Sequence, residues 1–202
     1  MVWLKYARRL WPTLLMLTRD ETPEMQYAAA SLQQGSGGIV LRAYNLGPEA
    51  RLALGRDLSR LCRVRRLLFL VAVRDNTDLA MAARIRADGL HMPEWVARQQ
   101  SIAPVIGWCR RYRRILTVAA HGPQGLARGQ QLGADAALLS PVFHTVTHIK
   151  TRPIGPVRFA ALCRTVPLPV IALGGVRSYN VRRLLYSKAI GVAIGQPTLS
   201  GK

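Results

Sequence analysis

The regular alternation of short apolar runs with stretches of helical periodicity is the feature that most constrains the fold of this sequence. The predicted strands are Leu14–Leu17, Gly38–Leu41, Leu67–Val73, Gly89–Met92, Ile115–Ala119, Ala136–Leu139, Val170–Ala172 and Ile190–Ile194. Apolar strands separated by helices indicate a parallel sheet, because the crossover helices cover both of its faces. Eight such strands within 202 residues predict an α/β fold, a small single-domain (β/α)8 TIM barrel. A doubly wound open sheet is the alternative.

Helical periodicity predicts the connecting segments as Met25–Gln34, Pro48–Arg63, Asp78–Arg84, Pro93–Gln100, Pro123–Leu132, Pro156–Thr165 and Asn180–Ser187. Several of these begin with proline, which a helix tolerates in its first turn. After the last strand only Gly195–Lys202 remain, too few for a full eighth helix. Residues 1–11 have apolar side chains at helical spacing. We therefore predict an N-terminal helical extension at 1–11 that covers the vacant seam of a barrel spanning 12–202.

The segment Leu139–Gly155 follows a buried strand and is rich in groups that bind anions. It carries threonines, histidines, Lys150 and Arg152. Such groups on a loop at the end of a strand indicate a site for a phosphorylated or otherwise anionic small molecule. Gly174 and Gly175 follow another apolar run, and glycines there let backbone N–H groups approach a phosphate at the start of the next helix.

In a parallel barrel the carboxyl ends of all strands meet at one face, where barrel enzymes place their active sites. The residues that fall at those ends are Arg42, Arg74, Asp75, His91, His121, Thr145 and Gly175. Two of them have a simpler interpretation as well. Asp75 is a candidate cap for the following helix, although Asp78 is the better candidate for that cap or else a first-turn acid. His91 is placed to be a buried core histidine.

The chain is strongly basic, with 29 Lys and Arg against 10 Asp and Glu, a net charge of +19. Arginine clusters at Arg60–Arg66 and Arg110–Arg114 are candidates for binding nucleic acid or an anionic membrane surface. No zinc-knuckle spacing or basic leucine zipper accompanies them. The simpler interpretation is that arginine decorates solvated faces, and we expect neither a nucleic-acid nor a membrane partner.

Cysteine usage and the N-terminal composition predict a compartment. Cys62, Cys109 and Cys163 are far apart and show no CxxC spacing, so we expect buried thiols in a reducing cytoplasm. Basic residues before Leu10–Thr18 imitate a secretory signal, but Pro12 interrupts the apolar run and acidic residues follow it. We expect a strand there rather than a signal. No apolar run approaches the ~18–20 residues of a membrane span.

Several segments together resemble the thiamine phosphate synthase family and its thiazole tautomerase relatives. They are Ala87–His91, Gly133–Asp135, Pro141–Phe143 with Thr145 and Thr147, Pro169–Val176 and Gly191–Ala193. The resemblance spans Leu14 to Thr198 and implies a (β/α)8 transferase of thiamine biosynthesis. Such an enzyme uses Mg2+ to join a hydroxymethylpyrimidine diphosphate to a thiazole phosphate and releases diphosphate. Family membership also implies self-association.

The resemblance assigns roles to individual residues. It implies that Arg42 and Arg74 are catalytic, with Arg74 standing where the family has a diphosphate-binding asparagine, and that Asp75 is a Mg2+ ligand. Together with their positions at strand ends, it predicts a substrate-binding set of Arg42, His91, Thr145, Thr147, His148, Gly175, Gly195 and Gln196.

The chain also departs from the family pattern. Val96 stands where a second magnesium aspartate is expected, Ala119 replaces a pyrimidine-contacting serine, and His148 replaces a lysine. Glu94 is a candidate substitute for the lost carboxylate, and Arg74, His148 or Lys150 for the lost positive charge. The first hypothesis is therefore a synthase-like enzyme with a partly altered site. The alternatives are a tautomerase-like or non-catalytic phosphate-binding barrel, and a basic nucleic-acid-associated protein.

Overall fold

Eight parallel strands form the centre of the molecule. The computed structural model describes residues 14–18, 32–99, 102–145 and 151–195. Its strands are β1 (Leu14–Leu17), β2 (Gly37–Leu41), β3 (Leu68–Ala72), β4 (Gly89–Met92), β5 (Ile115–Ala120), β6 (Ala136–Leu139), β7 (Val170–Leu173) and β8 (Gly191–Gly195). They are hydrogen-bonded in chain order, and β8 pairs back onto β1 in parallel, so the ring is closed.

Helices connect most of the strands. The α-helices within the described residues are α1 (Pro48–Arg65), α2 (Thr77–Arg84), α3 (Glu94–Ala97), α4 (Ala103–Arg111), α5 (Pro123–Gln131) and α6 (Pro156–Thr165). A short 3-10 helix, Val181–Leu184, lies between β7 and β8. No helix in the described part of the chain is both long and apolar enough to span a bilayer.

Successive strand residues alternate between two apolar clusters, as the two-residue period of a strand requires. One cluster, which includes Val40, Leu70 and Leu138, is made largely of strand residues and fills the inside of the ring. The other joins the intervening residues, such as Leu41, to helix residues such as Leu58. Each fully buried leucine contributes on the order of 1.5–3 kcal/mol. The strands are continuous apolar runs because both faces are covered.

Two aspartates fasten the amino ends of the strands, the face opposite the predicted site. Asp88, just before β4, accepts a hydrogen bond from the Phe69 N–H of β3 at 2.9 Å. Asp135, just before β6, accepts one from the Leu116 N–H of β5 at 2.7 Å. The Asp88 and Asp135 segments that resemble the known family therefore have a structural role.

The predicted α/β class with a curled parallel sheet is confirmed, whereas an open doubly wound sheet is wrong because β1 pairs with β8. The helix predicted at Asn180–Ser187 is a 3-10 helix of four residues, and α4 was not predicted. The predictions of a helical extension at 1–11, of most of the helix at Met25–Gln34 and of the truncated eighth helix lie outside the described residues.

Candidate functional site

Arg42 and Arg74 lie just beyond the carboxyl ends of the neighbouring strands β2 and β3. Each is two residues after an inward-facing strand residue, Val40 or Ala72, so both continue the inner face of the ring at its mouth. The guanidinium of Arg42 lies over the Tyr44 ring, 5.4 Å from its centroid. Burial raises the pKa of Tyr44, and the positive charge of Arg42 partly opposes that rise. Two half-buried cations therefore occupy adjacent strand ends.

A fully buried ion pair contacts the backbone of both strand ends. Arg51 of α1 is paired with Asp78 of α2, with side chains 0% and 2% exposed. Arg51 also donates hydrogen bonds to the Arg42 carbonyl at 3.0 Å and the Ala72 carbonyl at 2.6 Å. Burial lowers the pKa of Arg51, and the Asp78 carboxylate opposes that shift. Asp78 is a first-turn acid of α2, as predicted, but the pair itself was not predicted.

Asp75, the predicted Mg2+ ligand, is exposed at the start of α2. Its carboxylate accepts hydrogen bonds from the hydroxyl and the backbone N–H of Thr77. The Thr77 hydroxyl is the main reason that the pKa of Asp75 is lowered. These contacts tie Asp75 to the first residue of α2, although the residue at the N-cap position is Asn76 and not Asp75 as predicted. Among the described residues no group of three His, Cys, Asp or Glu side chains could hold a metal ion, so the metal role stays a prediction.

His91 lies inside the ring rather than at its open mouth. It is only 4% exposed, and its Nδ1 lies 3.0 Å from the Thr117 hydroxyl of β5. Burial, and secondarily the positive charge of Arg42, lower the pKa of His91 to about 3. His91 is therefore a neutral core histidine that pairs with a neutral hydroxyl. Substrate binding by His91 stays a prediction, and the structure favours the core interpretation.

Glu94 and His121 form a second polar cluster at the carboxyl ends of β4 and β5. The Glu94 carboxylate contacts His121 Nδ1 and accepts a hydrogen bond from Arg98 at 2.6 Å. Burial raises the pKa of Glu94, but the bonds from His121 and Arg98 outweigh it, so the net pKa is lowered. A carboxylate–imidazole pair of this kind can take and return a proton. The sequence placed His121 at a strand end and offered Glu94 as a substitute for the lost carboxylate, but it did not predict the contact between them.

A cleft of about 520 Å3 opens beside this pair. Its lining includes His121, Arg152 and Arg158, together with Gly122, Ile154 and Leu162. Two arginines and an imidazole among the lining residues suit an anionic group.

The glycine turn after β7 packs directly on the loop that follows β6. Gly175 has φ +67°, and a side chain there would come within 2.2 Å of the His144 carbonyl oxygen. The Phe143 N–H donates to the Gly174 carbonyl at 2.9 Å, and Asn180 donates to the Gly175 carbonyl at 2.9 Å. The structure thus brings together the two segments that the sequence singled out as phosphate-binding candidates.

The other predicted positions are placed as follows. Thr145 is half-buried just beyond this contact, and Gly195 ends β8 opposite Leu17 of β1. Val96, at the position of the family's second aspartate, is 3% exposed within the core. Ala119 is half-buried in β5. Thr147, His148, Lys150 and Gln196 lie outside the described residues.

Comparison with known proteins gives a consistent result. A family model described as thiamine monophosphate synthase matches residues 14–197. The chain is 31% identical over 183 residues to a thiamine-phosphate synthase of Alcanivorax borkumensis, covering 88% of this chain and 78% of the relative. It is 28% identical over 187 residues to the thiamine biosynthesis bifunctional protein ThiED of Geobacter sulfurreducens, covering 93% of this chain but only 36% of that longer relative.

The fold has a counterpart among solved structures. Thiamine phosphate pyrophosphorylase from Pyrococcus furiosus superimposes with a TM-score of 0.75 at 22% identity. The superposition covers 95% of this chain and 89% of that one. At this identity the similarity supports the fold alone.

Proposed function

Because the chain belongs to the thiamine monophosphate synthase family, we propose that it is a transferase that couples hydroxymethylpyrimidine diphosphate to thiazole phosphate. The observation that carries this proposal is the pair of arginines at adjacent strand ends, Arg42 and Arg74, whose backbone groups are hydrogen-bonded to a buried ion pair. Arginine binds phosphate oxygens in a bidentate manner and remains charged at all physiological pH values.

In the proposed reaction, the bond between the pyrimidine methylene carbon and the diphosphate oxygen breaks, and its electron pair leaves with diphosphate. The thiazole nitrogen then supplies the electron pair of the new carbon–nitrogen bond. Arg42 and Arg74 hold the departing diphosphate and stabilise the negative charge that develops on it. The thiazole phosphate would bind near the Gly174–Gly175 turn and Thr145, because the turn packs directly on the loop that leads to Thr145 and so brings the two candidate phosphate-binding segments together.

Mg2+ belongs to the proposal, with Asp75 as the chain's carboxylate for it. One exposed carboxylate suits this cation, because Mg2+ keeps several waters and is commonly bound by one or two carboxylates together with substrate phosphates. When bound, the cation neutralises charge on the diphosphate. The fit extends to Asp75 only, since Val96 replaces the second aspartate and Glu94 is engaged by His121 and Arg98.

We further infer a complete (β/α)8 TIM barrel, supported by the closed ring of strands, and self-association of the kind that the family implies. The free, buried state of Cys62, Cys109 and Cys163 is consistent with a reducing cytoplasm.

The direct test is to incubate the pure protein with hydroxymethylpyrimidine diphosphate, thiazole phosphate and Mg2+, and to measure thiamine phosphate by mass spectrometry. Product formation supports the coupling reaction. Absence of product together with thermal stabilisation by thiazole phosphate alone would contradict coupling and indicate a barrel that keeps only the thiazole-phosphate half of the site.

Asp75→Asn tests the metal role within this assay. We expect it to abolish Mg2+-dependent turnover, because it removes the negative charge of the exposed carboxylate that adjoins Arg74 at the mouth of the barrel. Asp57→Asn is the matched control, since Asp57 is exposed on α1. Unchanged turnover in Asp75→Asn would remove Asp75 from the mechanism.

The contact between Glu94 and His121 favours a second candidate function, a proton transfer on a phosphorylated thiazole. The imidazole would move the proton and Glu94 would hold the ring in position. Incubation of the protein with a thiazole phosphate tautomer in D2O distinguishes this candidate from coupling, because deuterium would enter the thiazole ring without any pyrimidine substrate. His121→Asn should stop that incorporation.

A further inference from the structure

Arg51 connects two strand ends that both carry a cation of the site. Its guanidinium donates to the carbonyl of Arg42 at 3.0 Å, at the end of β2, and to the carbonyl of Ala72 at 2.6 Å, at the end of β3. A longer bond at 3.4 Å reaches the Leu41 carbonyl. One buried side chain thus fixes the spacing between β2 and β3 where Arg42 and Arg74 begin.

Asp78 completes the connection from the other side. Its carboxylate is paired with Arg51 and accepts a hydrogen bond from the Arg74 backbone N–H at 2.7 Å. It also contacts the Arg74 guanidinium at 3.4 Å. Arg51 therefore acts on the backbone of Arg42 directly, and on both the backbone and the side chain of Arg74 through Asp78.

Stability alone is a weak explanation for this arrangement. Removing two charges from water is costly, and a buried ion pair replaced by well-packed apolar residues is often neutral or more stable. What the pair supplies that apolar residues cannot is directional bonding. The planar guanidinium has five donors in a fixed fork, and the donors of Arg51 meet strand-end carbonyls and a carboxylate that adjoin the two site arginines.

We propose that Arg51, through its ion pair with Asp78, is a positioning residue that sets the separation and orientation of Arg42 and Arg74 for binding a diphosphate group. The ligand class rests on the proposed function above. The connection between the buried pair and the two arginines rests on the hydrogen bonds alone.

Arg51→Lys is the variant that tests this proposal, because it keeps the positive charge opposite Asp78 and loses the fork. A lysine ammonium is a compact point charge, so it cannot reach the Arg42 carbonyl, the Ala72 carbonyl and Asp78 in the same geometry. Arg56→Lys is the matched control, since Arg56 is exposed on the same helix α1. Asp78→Asn provides a second variant, which keeps the shape of the side chain and removes its charge.

The first measurement is the affinity for inorganic diphosphate by calorimetry. We expect Arg51→Lys and Asp78→Asn to weaken binding roughly 10- to 100-fold, the usual cost of disturbing groups that orient a site. Arg56→Lys should bind as the wild type does. Equal affinity in Arg51→Lys and wild type would overturn the proposal.

A double-mutant cycle separates positioning from a general loss of structure. In an Arg42→Lys/Arg74→Lys background, Arg51→Lys should lower diphosphate affinity less than about twofold, while it lowers the melting temperature as much as it does in the wild type. The proposal would be overturned if Arg51→Lys lowered diphosphate affinity by the same factor in both backgrounds, because Arg51 would then act independently of the two arginines.

A third readout does not depend on any ligand. The side-chain Nε–Hε signals of Arg42 and Arg74 in NMR spectra, assigned from Arg42→Lys and Arg74→Lys, should shift in Arg51→Lys and stay in place in Arg56→Lys. If the wild type neither binds diphosphate nor turns over, the proposed function fails while shifted signals still support positioning. Unshifted signals would overturn positioning whatever the ligand.

Discussion

Two buried titratable side chains, Arg51 and His91, differ in their charge state because their partners differ. Arg51 has a carboxylate and strand-end carbonyls as partners and serves as a charge. His91 has the neutral Thr117 hydroxyl as a partner and a cation, Arg42, nearby. Burial without an opposite charge disfavours the imidazolium, so His91 is held neutral.

The depressed pKa of His91 predicts acid sensitivity. Above pH 6.5 the imidazole is neutral in both folded and unfolded chains, so it contributes no pH dependence. Between pH 6.5 and about 3 the unfolded chain binds a proton that the folded chain excludes, so stability is lost as the pH falls. The loss amounts to about 1.4 kcal/mol per pH unit for one proton.

His91→Asn, which cannot titrate but keeps a hydrogen-bonding group near Thr117, should remove this component. The measurement is urea denaturation of wild type and variant at about pH 7, 6 and 5, the range in which the unfolded imidazole gains its proton. Exposed His144 provides the control His144→Asn, which should keep the wild-type slope. Parallel stability curves for wild type and His91→Asn would contradict the assignment.

At the residue scale, sequence reasoning found the positions at strand ends but not the contacts between them. Arg51 resembled the many other arginines of a strongly basic chain. The spacing of the sequence could have identified it as buried. Arg51 lies at helical intervals from Leu54, Leu58 and Cys62, and all four residues are buried on one face of α1. A charge on that stripe requires a buried partner. The sequence has ten acidic residues that could be this partner. The choice of Asp78 depends on how α2 packs against α1, and the periodicity of the sequence does not predict that packing.

At the element scale, the strands were predictable and the helices less so. Continuous apolar runs identify strands that are covered on both faces. The helix α4 was missed because Pro104 and Gly107 interrupt its pattern with residues that disfavour helix. Its register is instead set by Val105 and Cys109, which are buried against the barrel.

Glycines within two helices predict opposite effects of the same substitution. A Cβ on Gly107 of α4 would have no neighbouring atom within 4 Å, whereas a Cβ on Gly129 of α5 would lie 2.6 Å from the Val118 side chain. Gly107→Ala should therefore stabilise the fold by about 0.4–1 kcal/mol. Gly129→Ala should destabilise it by about 1–3 kcal/mol, because the β-branched Val118 has little freedom to move. Denaturation midpoints of the two variants measure both, and a loss of stability in Gly107→Ala would contradict the open space at that position.

At the scale of the whole molecule, the net charge of +19 predicts that salt stabilises the fold. Like charges repel one another more in the compact state, and the screening length falls from about 30 Å at 0.01 M salt to about 8 Å at 0.15 M. The melting temperature should rise over this range, by about 2–4 °C for each kcal/mol gained.

A charge-reduced variant provides the control for this prediction. Arg56 and Arg60 are exposed and four residues apart on α1, a spacing at which like charges destabilise a helix. Arg56→Gln/Arg60→Gln should be more stable than wild type at low salt and less sensitive to added NaCl. A melting temperature that stays constant or falls as salt is added would contradict the prediction, because it would show that repulsion between the arginines does not destabilise the folded state. The alternative of a nucleic-acid-associated protein, which we do not expect, requires binding that weakens steeply with salt.

The pairing of β1 with β8 also has a consequence for how the protein is made. The register joins Leu17 to Gly195, so the wall of the barrel has a gap until β8 leaves the ribosome. Domains fold as units, and contacts between residues so far apart in sequence form slowly. During synthesis, therefore, Arg42 and Arg74 have already been made while the ring of strands is still open between β1 and β7. If the proposed function holds, the nascent chain should bind diphosphate only after release of β8.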